Sequence, residues 1–198
     1  MMQPMTRVLA LLSLVTLGLV TQNAEAAPKL KKYHLVLADV TAKTEVKAED
    51  AQAAVPRIET VVKKTFETHP QLVAKLDGAP DPIAKADAYR KFLTKKGIAS
   101  AFLVTVEVTE ATIEIEPMES KPNTQRIVVR VGVHLLGETI PGRTMGFTGD
   151  GQATIKVEVG KKIRDRDKEY TWDQAADAAV ADAMKTVFKQ LAVPPKKQ

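Results

Sequence analysis

Covalent and metal chemistry need particular side chains at particular spacings, and the 198-residue chain holds few of them. Apart from Ser13, the serines are Ser100 and Ser120. Neither lies in the Gly-x-Ser-x-Gly turn that exposes a nucleophile above a sheet. There is no cysteine, which removes thiol catalysis, cysteine metal sites and disulfides together. His34, His69 and His134 stand alone, without the His-x-x-x-His or carboxylate spacing of a metal site, so each reads as a structural histidine. No glycine-rich phosphate loop follows a strand-like run. Asp165, Asp167 and Glu169 could suggest calcium, but Lys161, Lys162, Arg164, Arg166 and Lys168 make the local charge positive. A solvated charged loop over Lys161 to Tyr170 is the expectation. Asp150, between Gly149 and Gly151, lacks the spaced acids of a calcium loop and reads as a bulge or tight turn. The sequence therefore predicts no catalytic, cofactor-binding or metal-binding residues.

One polar pattern stands out. Arg126, Arg130 and His134 recur at i, i+4 and i+8 within an alternating, β-branched run, which places them on one face of a strand. Two arginines cannot sit in an apolar core without partners. That face is solvated, covered by an acidic element, or a candidate interaction surface.

The run that carries them, Arg126 to Leu136, is the expected middle of a sheet, with Ile127, Val129, Val131, Val133 and Leu135 toward the core. Upstream, Tyr33 to Val40 is apolar on both parities and reads as a central strand. Ala51 to Phe66 carries one helical stripe, and the helix is expected either to start at Pro56 or to kink there. It stops at His69-Pro70. Gln71 to Leu76 reads as a short strand before an Asp77-Gly78 turn. A second helix is expected from Asp81 as N-cap and Pro82 to Gly97 as C-cap. In the next strand Phe102, Val104, Val106 and Val108 face the core on even positions, but Ile113 and Ile115 do so on odd ones. That change of parity requires a bulge between Thr109 and Thr112. Pro117 to Thr124 is a loop, Gly137 to Arg143 a turn, and Thr144 to Val159 extended. The last helix is expected to begin at a Thr171-Trp-Asp-Gln174 capping box. Its stripe runs from Ala176 to Leu191, and its alanine-rich first half permits close approach to the sheet. The order is β-α-β-α-β-β-β-α, an α+β fold with helices packed on a mainly antiparallel mixed sheet.

The amino terminus is read as a signal peptide. Arg7 precedes the apolar Val8 to Val20, and Ala24-Glu25-Ala26 offers small residues for cleavage after Ala26. The apolar run is too short for a typical membrane span, and an uncleaved anchor is the other reading. Removing 26 residues leaves 172, enough for a single domain over residues 27–193 with a tail at 194–198. The content of 44% hydrophobic and 27% charged residues suits a globular chain. The net charge of +5 survives removal of the leader, which loses one arginine and one glutamate. With five Phe, three Tyr and one Trp, stacking platforms are too sparse to suggest nucleic acid. Weak attraction to anionic envelope surfaces is the more modest inference.

This order, with Lys95-Lys-Gly-Ile-Ala99 leading straight into an apolar strand, the strand pair Arg126 to Leu136 and Thr144 to Val159, and Ala175 to Leu191 as final helix, resembles the amino-terminal TolB-like domains. That group includes envelope lipoproteins of the CsgG and LpoB type. The resemblance covers most of the exported chain and implies this fold and a periplasmic location. The lipid-bearing cysteine of many such proteins is absent. The expectation is a periplasmic or secreted, non-enzymatic protein-binding or assembly component of the envelope, with a protein partner and capable of oligomerising. A polysaccharide-binding protein, or an enzyme whose site forms from distant residues, is the alternative.

Overall fold

The computed structural model describes residues 31–192. The segment read as a signal peptide, residues 1–26, and the tail at 194–198 lie outside the described residues. Seven elements follow in order: β1 (Lys32–Ala42), α1 (Ala48–Thr68), α2 (Ala86–Lys95), β2 (Ile98–Pro117), β3 (Thr124–Ile140), β4 (Met145–Gly160) and α3 (Asp165–Ala192). The strands form one four-stranded sheet in the order β1-β2-β3-β4. β1 runs parallel to β2, and the other pairs are antiparallel. The α+β class expected from the sequence is the one found.

The core lies on one face of this sheet, under α1 and α3. Phe102, Val104, Val106 and Val108 from β2 meet Ile127, Val129, Val131, Val133 and Leu135 from β3, all buried. Ile58, Val62 and Phe66 of α1, with Ala176, Val180 and Val187 of α3, close over them. The parity change in β2 is a bulge at Thr109: Val108 pairs with Val133 and Glu110 with Gly132, leaving one residue unmatched. Beyond it Ala111 faces the core, as required. α2 packs elsewhere. Its Tyr89 and Leu93 bury against Ile98 and Ala101, with Ile140 beside them, covering one end of the opposite sheet face.

Several sequence expectations are corrected. β1 is an edge strand, not a central one. Its burial on two faces arises because the helix layer covers one side while the segment before α2 covers the other, where His34 Nδ1 lies 2.6 Å from the Val73 carbonyl. Gln71 to Leu76 forms only a bridge of Leu72 to Tyr33, with Tyr33 N–H donating to Gln71 and Val73 N–H to Tyr33. α1 starts at Ala48 and continues through Pro56. Packing of Ala54, Ile58 and Val62 outweighs the single backbone bond that proline forfeits. It ends at an extended His69, as predicted.

Asp81 does cap a turn, accepting from Ile83 N–H at 2.7 Å and Ala84 N–H at 2.8 Å, but helix proper begins only at Ala86. α3 begins six residues before the expected capping box. Thr171 is buried within it and donates to the Asp167 carbonyl at 2.6 Å. The start is fixed instead by Asp167, whose carboxylate reaches back to Arg164 N–H at 3.1 Å. The expected charged loop is thus largely helix. Nor is Gly149-Asp-Gly151 a turn: β4 pairs with β3 through it without a register shift. Both glycines face α3, and a Cβ on Gly149 would stand 2.6 Å from Val187 and 2.8 Å from the Ala183 carbonyl. They exist so that the alanine-rich helix can lie directly on the strand.

Candidate functional site

Arg126, Arg130 and His134 share the face of β3 that α1 and α3 leave open. The structure supplies each with an acidic neighbour from an adjacent strand. Arg130 Nη1 lies 2.9 Å from Glu114 of β2, and Arg126 Nη1 lies 4.0 Å from Glu116. His134 Nδ1 lies 2.6 Å from Asp150 of β4. The three sequence-predicted residues are therefore the middle rungs of cross-strand rows. Glu116, Arg126 and Glu158 form one row, Thr112, Arg130 and Thr154 another, and Glu107, His134 and Asp150 a third, with Glu114, Val128 and Lys156 between the first two. Lys121, from the loop before β3, holds Glu158 at 2.6 Å.

Charge follows from this arrangement. The Glu114 hydrogen bond, then its charge, then Glu110 and Glu116, raise the Arg130 pKa further above its ordinary value. The Lys121 hydrogen bond and charge, helped by Arg126, hold the Glu158 carboxyl below its usual range. Both groups stay ionised at neutral pH. Acids slightly outnumber bases here: Glu107, Glu110, Glu114, Glu116, Asp150 and Glu158 stand among Arg126, Arg130, Lys156, Lys121 and Lys43. A basic stripe in the sequence is thus a mixed surface with a slight acid excess in the fold. The acids were partly legible, because Glu110, Glu114 and Glu116 occupy the polar parity of β2 once the bulge is placed. Their pairing to particular arginines depends on register.

Beneath the charges lies an apolar footing. Val128 is fully buried although it points away from the main core. Its neighbours on that face are Arg126, Arg130, Glu114 and Lys156, whose aliphatic stems cover it while their charged ends stay wet. Thr112, opposite Arg130, has a buried hydroxyl with no hydrogen-bond partner among the described residues.

On the other side of the molecule a groove between α1 and α3 is lined by Val61, Lys64, His69, Asp177 and Phe188. Arg57 bridges its far end to Asp173 at 2.8 Å. His69 stacks on Phe188 with 4.1 Å between ring centres and accepts from Gln71 N–H. Burial lowers its pKa. The three histidines thus lie apart, each with its own structural partner. No group of three or more His, Asp or Glu residues able to hold a metal ion occurs among the described residues. None of their helices is long and apolar enough to cross a membrane.

No family model matches the chain, and no curated protein matches it. Among solved structures, it is similar to rare lipoprotein B from Shewanella oneidensis, at 12% identity over 81% of this chain and 99% of that one, with a TM-score of 0.38. A minor lipoprotein from Acinetobacter baumannii matches at 10% identity over 77% and 92%, with a TM-score of 0.37. A neuraminyllactose-binding hemagglutinin homolog from Helicobacter pylori matches at 9% over 85% and 88%, with a TM-score of 0.35. Two of the three are lipoproteins by name, and they lend nothing to a likeness with TolB domains in particular. At these scores none carries its role over to this chain.

Proposed function

We propose that this is an exported, non-enzymatic component of the cell envelope that binds a protein partner through the open face of its sheet. The observation that supports this is the asymmetry of the sheet. α1 and α3 cover one face, whereas from Glu107 to Glu116, Arg126 to His134 and Asp150 to Glu158 no described element covers the other. That surface pairs fixed charges with a buried apolar footing at Val128, the mixture from which polar protein interfaces are made. The leader read at residues 1–26 supports export, and the acid excess suits a partner bearing basic side chains.

The test is site-specific photocrosslinking in cells. A photoreactive residue at Glu107 or Glu110, on the open face, should yield an adduct of defined mass, and one at Lys64, on the helix layer, should not. Glu114→Lys with Glu116→Lys, which reverses two acids of that face, should abolish the adduct while leaving the fold intact by circular dichroism. Adducts only from Lys64 would refute the reading, as would specific retention of purified protein on an envelope polysaccharide.

A further inference from the structure

The carboxy-terminal edge of the sheet carries a second surface, distinct from the open face. β4 is the last strand in the sheet. At Thr148 its outward backbone is already satisfied: Gln190 of α3 accepts from Thr148 N–H at 3.1 Å and donates to its carbonyl at 2.8 Å. Thr148 thus turns its backbone groups away from β3. Antiparallel pairs alternate with period two, and β4 has no register shift from Thr148 to Gly160. The N–H and C=O groups of Asp150, Gln152, Thr154, Lys156 and Glu158 therefore point off the edge too. None has a backbone partner there among the described residues. The strand carries no proline and no bulge over this stretch, two of the devices that blunt an edge, and its charges Asp150, Lys156 and Glu158 admit a partner strand only in a register that pairs them.

We propose that a second copy of this chain adds its own β4 to this edge, antiparallel about a two-fold axis, making one continuous sheet. The charge pattern selects both the occupant and the register. With the axis at Ala153, Asp150 of each copy lies opposite Lys156 of the other, and Gln152 lies opposite Thr154. Moving the axis to Thr154 would set Asp150 against Glu158 at both ends, and moving it to Ile155 would bring no opposite charges together. The ladder ends where Gln190 occupies Thr148, so four residues from each copy exchange about eight hydrogen bonds. Ala153 and Ile155, only partly buried against the core, gain cover on the helix side. The contact is isologous and closes on itself as a dimer.

Sedimentation of the full exported chain over a concentration series tests this. The wild type should reach twice the chain mass. Thr154→Pro removes an N–H that points off the edge, a position where a strand tolerates proline, and should leave a folded monomer. Lys156→Glu sets like charges opposite at two places and should weaken the dimer about tenfold. Asp150→Lys with Lys156→Glu should restore it. A monomer at every concentration would overturn the proposal, and so would a dimer indifferent to Thr154→Pro and Lys156→Glu. Protection of β4 amides from exchange only when another envelope protein is added would assign the edge to a foreign strand, which also overturns it.

Discussion

Replacing Gly151 with alanine probes the contact that seats α3 on the sheet. In an exposed strand such a change is ordinarily neutral or gains about 0.4–1 kcal/mol, because the unfolded chain loses freedom. Here the added Cβ would stand 2.5 Å from Ala183 N and 2.9 Å from Ala183 Cβ, and it would press harder still on the Ala179 carbonyl. Two of these are backbone atoms of a helix, so no side chain can swing aside. Either α3 lifts or β4 bends, and the core beneath Ala179, Val180 and Ala183 loosens. Overpacking of this kind costs up to about 3 kcal/mol. For a domain of this size that is a fall of about 6–12 °C in Tm. Trp172, in the first half of the same helix and 5% exposed, reports unfolding by fluorescence in urea or on heating. Gly160→Ala is the control, since nothing lies within 4 Å of a Cβ there, and its change should stay within about 0.5 kcal/mol. Equal stability of Gly151→Ala and Gly160→Ala would refute the close packing of helix on strand.

Two further outcomes are expected. His69 has a lowered native pKa, so below the ordinary histidine value near 6.5 the unfolded chain takes up a proton that the native chain refuses. The stability it contributes is complete above that value and is lost as pH falls through the native pKa. Urea midpoints should drop across that window in the wild type, and the drop should shrink in His69→Phe, which keeps an aromatic ring beside Phe188. Thr112→Val removes a buried hydroxyl without a partner while keeping the branched shape at a strand position. It should stabilise the fold by about 1 kcal/mol, and a loss of stability in chemical denaturation would show that the hydroxyl is satisfied in solution.

The polarity of each element is legible along the chain. Period-two alternation in Arg126 to Leu136 marked the core-facing residues, the parity change between Val108 and Ile113 demanded the bulge found at Thr109, and the alanines of α3 foretold close approach to the sheet. These follow from backbone geometry acting over a few residues. What depends on register, and on neighbours distant in the chain, is not legible there. Pro56 sits inside α1, and Thr171 inside α3, because packing of whole helix faces outweighs local stop and start signals. Gly149 and Gly151 resemble a turn until the helix that needs their missing side chains is laid on them. Arg126, Arg130 and His134 looked like a basic stripe, since the carboxylates beside them come from Glu116 and Glu114 on one strand and Asp150 on another. Alternation states which side of a strand a residue faces. Only the pairing of strands determines what stands beside it.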